Sequence, residues 1–122
     1  MPTNESSENY LETILMISEK KPVVRSVDVA NETGYRKSSI SIAMRNLREK
    51  GMITVSPEGY ISLTDEGMKI ASMIYERHKV LSAWLMHLGV DQKTATDDAC
   101  RVEHDLSEKS FAAIKKFIEE HE

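Results

Sequence analysis

Cys100, Glu103 and His104 stand at i, i+3 and i+4, a spacing that on a helix sets a thiol, a carboxylate and an imidazole on one face. A soft thiolate, a borderline imidazole and a hard carboxylate together suit Fe(II), Zn(II), Co(II) or Ni(II) better than Mg(II) or Ca(II). A second reading fits the same spacing, in which the Cys packs as a small hydrophobe beside a surface Glu-His pair. Upstream, His78 follows Tyr75-Glu76-Arg77 and reads by itself equally well as a hydrogen-bonded or surface imidazole. Glu12, three residues after Asn9, reads alone as a solvated acid. The sequence holds no nucleophile with base and orienter, no phosphate-cradling Gly loop and no HExxH pair, so catalysis would have to rest on the metal constellation alone.

A second chemistry is carried by charge. The net charge of −4 argues against nucleic acid as a partner until it is divided along the chain. Residues 1–50 hold eight Lys/Arg against seven Asp/Glu, and residues 51–122 hold eight against thirteen. Within 36–50 the basic residues Arg36, Lys37, Arg45, Arg48 and Lys50 face only Glu49, a local excess of four positive charges on an acidic protein. Solvated helix charges are the plain alternative for that cluster.

The elements that must position these groups are helical. With 40% hydrophobic and 30% charged residues, five Gly and three Pro, the chain is too apolar for disorder and too poor in breakers for a loop-rich β-protein. Its 122 residues fit one compact domain or two small lobes. Tyr10, Ile14 and Ile17 predict a first helix over 7–18, capped by Ser6 or Ser7. A short second helix over 25–32 takes Ser26 as N-cap, turns Val29 and Ala30 inward and closes at Gly34. Over 38–50, Ile40, Ala43, Met44 and Leu47 share one face and Ser39, Ser41, Arg45 and Arg48 point away from it, with Gly51 as the stop. Two helices joined by a short Gly-containing turn, the second basic on its outer face, have the form of a helix-turn-helix. The β-type runs 52–55 and 60–63 around Ser56-Pro57-Glu58-Gly59 add a two-stranded wing.

Thr64 caps a long amphipathic helix carrying Ile70, Ile74, Leu81, Leu85 and Leu88 up to Gly89. A further helix spans 91–104, and Ser107 starts a last one with the stripe Phe111, Ile114, Phe117 and Ile118. The fold expected is mainly α, a winged helix-turn-helix over 1–63 followed by an all-helical domain over 64–122. No apolar run approaches the roughly 20 residues of a membrane span. One Cys cannot pair within the chain, and residues 1–20 lack a secretory pattern, so a reducing cytoplasm is expected.

These residues resemble the metal-dependent repressors of the diphtheria toxin repressor and manganese transport regulator family. The resemblance is carried by Glu8-Asn9-Tyr10-Leu11-Glu12, by the helix-turn-helix from Val27-Asp28-Val29-Ala30 to Leu47-Arg48-Glu49-Lys50-Gly51, by Leu63-Thr64-Asp65-Glu66-Gly67 and Arg77-His78, and by the run from Ala99-Cys100 through Glu103-His104 to Leu106-Ser107. It covers nearly the whole chain in order, and Cys-x-x-Glu-His before Leu-Ser, with His78 upstream, is its most specific part.

The resemblance implies a homodimer whose winged helices bind a double-stranded DNA operator and whose following helices dimerise and hold a divalent metal co-repressor. Glu12, His78, Cys100, Glu103 and His104 match metal-ligand positions, and Asn9 matches one more. Manganese members are expected to carry Asp and iron members Met at the position of Asn9, whose neutral carbonyl oxygen is a weaker ligand that water can replace. Cys100 resembles the iron-responsive branch, so Fe(II) is the first choice of metal and Mn(II) or Zn(II) the alternatives. Ser82 and Thr96 stand where iron-type members place a Glu and a His, so an ancillary site is not expected, and the chain resembles the short form without a C-terminal SH3-like domain. Metal bridging the two lobes would select the hinge angle that fits two major-groove half-sites, and protons would compete with it for the thiol and imidazoles.

On the DNA side, Ser38, Ser39 and Ser41 read as base or phosphate contacts, Ile42 as a partner for a thymine methyl, and Arg36, Lys37, Arg45 and Arg48 as phosphate contacts. Neither a small organic substrate nor a membrane partner is expected. Two rivals stand beside this reading, a winged-helix regulator not controlled by metal and a small metalloenzyme with the same ligands around an open position.

Overall fold

The computed structural model describes residues 5–121. They form two compact units that meet within one long helix, at Met73 and Ile74.

In the N-terminal unit, α1 (Glu5–Lys20) buries Leu11, Ile14 and Ile17, the face set by the apolar spacing. Ser6 and Ser7 lie inside this helix rather than at its cap. The second helix, α2 (Ser26–Thr33), also starts differently from the sequence expectation, because Arg25 and not Ser26 is the N-cap. The Asp28 carboxylate accepts a hydrogen bond from the Arg25 N–H at 2.9 Å and another from Lys21 Nζ at 2.8 Å. Those bonds, Lys21 first, hold its carboxyl below the usual carboxylate range. Gly34, at φ 76°, sends its N–H back to the Ala30 carbonyl and ends the helix.

After that turn α3 (Lys37–Glu49) buries Ile40, Met44 and Leu47. Strands β1 (Ile53–Val55) and β2 (Ile61–Leu63) pair antiparallel with Thr54 opposite Ser62. The Ile61 N–H reaches the Val24 carbonyl at 2.7 Å, which ties the hairpin to the segment before α2. One core joins Leu11, Ile14, Val29, Ile40, Leu47, Ile53 and Ala71.

The helix α4 (Asp65–His87) begins in this unit and runs into the next. Thr64 caps it through a hydrogen bond from the Gly67 N–H to Oγ1 at 3.1 Å. The same hydroxyl donates to the Gly51 carbonyl, and the Thr64 N–H donates to the Met52 carbonyl at 3.0 Å. In the C-terminal unit α5 (Gln92–Val102) starts at Asp91, which accepts the Thr94 N–H, and α6 (Glu108–Glu120) starts at Ser107, which accepts the Ser110 N–H. Leu81, Ala99 and Phe111 form its small core, with Val80, Leu106 and Ile114 packed beside them. Among the described residues no helix is long and apolar enough to cross a membrane.

Gly67 is where the root of α4 touches the wing most closely, since a Cβ there would stand 2.0 Å from the Met52 carbonyl oxygen. Gly67→Ala gains helix propensity worth about 1 kcal/mol, but it must displace backbone that also accepts the Thr64 N–H. We expect a net loss of about 2 kcal/mol, read in thermal denaturation as a midpoint lower by about 8 °C or more. A variant that melts with the wild type would show that the carbonyl yields freely.

Candidate metal centre and nucleic-acid interface

In the C-terminal unit, α4 and the end of α5 bring three of the predicted ligands together. The Glu103 side chain is fully excluded from solvent. Its Oε2 lies 2.9 Å from His78 Nδ1, and its Oε1 lies 3.5 Å from Nε2 of His104, whose side chain is 1% exposed. At that distance and geometry Oε1 takes part in no hydrogen bond. A buried carboxylate with an acceptor left over, between two imidazoles, is a donor set suited to a divalent cation, since each group offers a lone pair once deprotonated.

Local structure explains the placement. The helix α5 ends at Val102, two residues earlier than the periodicity suggests, but Glu103 keeps helical angles (φ −58°, ψ −27°) and its N–H still reaches Ala99. Cys100, Glu103 and His104 therefore stay within one turn, with Cys100 half-buried on the helix. Under His78, the Ser82 hydroxyl donates to the His78 carbonyl at 2.7 Å and is engaged within its own helix.

Asn9 and Glu12 lie on α1, in the other unit. Glu12 is 6% exposed, a buried carboxylate rather than the solvated acid its sequence context suggests in isolation. Asn9 is half-buried, and its main-chain carbonyl accepts the Thr13 hydroxyl at 2.8 Å.

The helix-turn-helix places every predicted DNA-contacting residue in solvent. Arg36 caps α3, Lys37, Ser38 and Ser39 form its first turn, and Ser41, Ile42, Arg45 and Arg48 follow, all of them exposed. Ile42 at 51% exposure is a large apolar side chain on a helix whose apolar face is otherwise inward. Tyr35, 56% exposed just before Arg36, stands edge-on to Tyr10 with ring centroids 6.1 Å apart.

Two features of the C-terminal unit are not among the sequence expectations. Arg77 is only 4% exposed, and it falls on the inward stripe Ile70, Ile74, Arg77, Leu81, so its burial was visible in the helical period. The second is an open, mainly apolar groove of about 630 Å³ between α4 and α6, lined by Val80, Trp84, Leu88, Phe117 and Ile118, with His87 and His121 at its edge. Phe117, expected among the inward stripe of α6, is instead 53% exposed there and stacks on His121 at 3.9 Å between ring centroids.

Comparison with known proteins gives two family matches that share out the chain. Residues 3–60 match the model described as "Iron dependent repressor, N-terminal DNA binding domain", and residues 64–122 match "Iron dependent repressor, metal binding and dimerisation domain". An uncharacterised HTH-type transcriptional regulator of Methanocaldococcus jannaschii is 32% identical over 95% of this chain and 94% of its own length. The transcriptional regulator MntR of Escherichia coli O6:H1 is 31% identical over 96% of this chain and 76% of its own. Among solved structures, a manganese-dependent transcriptional repressor in complex with manganese superposes with a TM-score of 0.81 at 28% identity. That likeness covers 90% of this chain and 51% of the other, so the chain spans about half the length of the solved protein.

Proposed function

The chain belongs to the iron-dependent repressor family, and on that premise we propose that it is a DNA-binding transcriptional repressor of metal-ion homeostasis whose co-repressor is a divalent transition metal. The observation that carries the metal reading is the buried Glu103 carboxylate between His78 and His104, with one oxygen outside any hydrogen bond. His78, Cys100, Glu103 and His104 are its ligands in the C-terminal unit, and α1 contributes Glu12, with Asn9 or a water beside it. When bound, the ion supplies a fixed positive charge that lets thiolate, carboxylate and imidazoles stay deprotonated together.

Cys100 supports Fe(II) as the physiological metal, because a thiolate favours Fe(II) or Zn(II) over the harder Mn(II). Mn(II) is the second reading, supported by the relatives named MntR and the manganese complex of the solved repressor. The family consists of transcriptional regulators, and this chain is not an enzyme. Its site of action is the cytoplasm, where double-stranded DNA is the partner.

On DNA, α3 enters the major groove with Ser38, Ser39, Ser41 and Ile42 toward the bases, while Arg36, Lys37, Arg45 and Arg48 neutralise phosphates. A homodimer presents two such helices to half-sites about 34 Å apart, and the Trp84, Leu88 and Phe117 groove is the surface we assign to the second copy. The metal, by joining α1 to the ligands of α4 and α5, favours the arrangement that fits both half-sites, so metal and operator bind with reciprocal positive coupling.

Three outcomes are expected. In anaerobic titrations against duplex DNA selected by the metal-loaded protein, Fe(II) tightens binding at least tenfold over chelator, at lower free concentration than Mn(II). Cys100→Ala, Glu103→Ala and His104→Ala each abolish that dependence; affinity indifferent to metal and to all three substitutions would falsify the switch. In a salt series, Arg45→Ala or Arg48→Ala makes the slope of log K against log salt shallower by about 0.9 for each phosphate left unneutralised, whereas an unchanged slope makes them solvated charges. In sedimentation, the wild type runs as a dimer and Leu88→Glu with Phe117→Glu as a monomer; a variant that stays dimeric moves the interface elsewhere.

A further inference from the structure

Arg77 belongs neither to the predicted ligand set nor to the DNA face, yet it is a cation with 4% exposure next to His78. Burying a guanidinium is costly unless it is paired, and among the described residues no carboxylate forms an ion pair with Arg77. Its Nη1 instead donates to two main-chain carbonyls, those of Glu103 at 3.0 Å and of Leu106. Its guanidinium carbon sits 5.3 Å from the centre of the Phe111 ring in the first turn of α6. The two carbonyls bracket the turn that holds Glu103 and His104 and joins α5 to α6. At the C-terminal end of α5, where carbonyls lack helical partners and carry partial negative charge, a cation is well placed.

Consecutive residues of α4 therefore grip Glu103 at both ends, His78 at the carboxylate and Arg77 at the main-chain carbonyl. We propose that Arg77 is a positioning residue which fixes the Glu103–His104 turn in ligand geometry before metal arrives, and so sets metal affinity and coordination geometry. The inference rests on the metal reading and adds the part of the site that does not touch the ion. Without the fork, the turn can shift relative to His78, and ordering it becomes a cost of binding. A ligand set held loosely also discriminates less between ions of different preferred geometry.

The test uses the intact chain with Co(II), whose absorption reports coordination, and Mn(II) as a competitor. Arg77→Met removes charge and fork. Arg77→Lys keeps the charge on a single point donor with a different reach. Leu81→Ala, in the core of the same unit and not itself one of the proposed ligands, controls for lost stability. We expect both Arg77 variants to bind Co(II) and Mn(II) about 10- to 100-fold more weakly with an altered Co(II) spectrum, while Leu81→Ala melts lower but keeps the wild-type spectrum. Wild-type affinity and spectrum in either Arg77 variant overturn the proposal, as does a spectral change of equal size in Leu81→Ala. Should neither Arg77 variant fold, backbone order parameters of the metal-free wild type decide. Rigid amides from Glu103 to Leu106, near 0.85, support the proposal, and a mobile turn overturns it. A wild-type chain that binds neither ion overturns the metal reading itself, and the positioning role with it.

Discussion

A carboxylate with no exposure to water constrains everything around it. Glu103 sits in the C-terminal unit with its side chain fully buried, and a buried carboxylate is costly unless its oxygens are paired. The structure supplies two imidazoles, one hydrogen-bonded to Oε2 and one 3.5 Å from Oε1. One carboxylate oxygen stays outside any hydrogen bond, and in the metal reading proposed above a divalent ion would take that lone pair. Even the small size of the surrounding core fits this view. The buried cluster of Leu81, Ala99 and Phe111 is small for a helical unit, and in the proposed reading a metal held by α4 and the end of α5 would add cohesion to it.

The long helix α4 is the mechanical counterpart of that constraint. Its first turns are part of the winged-helix body, latched by Thr64 to Gly51 and Met52 and by the close approach of Gly67 to Met52. Beyond Met73 the same helix carries Arg77 and His78. The root of this helix is thus tied to the wing, and its later turns carry two of the residues that hold Glu103.

Much of this is legible in the residues alone. The apolar spacing of α1, α3 and α4, the Thr64, Asp91 and Ser107 starts and the wing around Ser56-Pro57-Glu58-Gly59 all follow local rules, and the structure keeps them. What failed did so where a neighbouring contact outweighs the rule for one residue. Ser26 has the better capping side chain, but Asp28 reaches back to the Arg25 N–H with help from Lys21, and the helix starts one residue earlier than a Ser26 cap would put it. Phe117 fits the apolar period of α6 but lines an open groove beside α4 instead of entering the core. Arg77 was visible as an interruption of an inward stripe, and only its two carbonyl partners, far away in sequence, explain why a cation belongs there. Cys100, Glu103 and His104 stay within one turn because Glu103 keeps helical angles past the end of α5, a local property that periodicity captures well.

The donor set carries its own argument about selectivity. In the ligand set proposed above, Asn9 would offer a neutral carbonyl oxygen where manganese members are expected to carry Asp, and Cys100 would offer sulfur. Both changes weaken the hold on a hard ion that relies on carboxylates, and the second strengthens it for ions that accept thiolate. The anionic charge falls by one at Asn9 and is kept at Cys100 once the thiol is deprotonated, so the loss is mainly of hardness. A relative can share the fold and the helices of this chain and still bind a different ion, because fold and selectivity are set by different atoms. The former depends on Leu11, Ile40, Leu47 and Ile74. In the proposed ligand set the latter would turn on Asn9 and Cys100, neither of which is among those four.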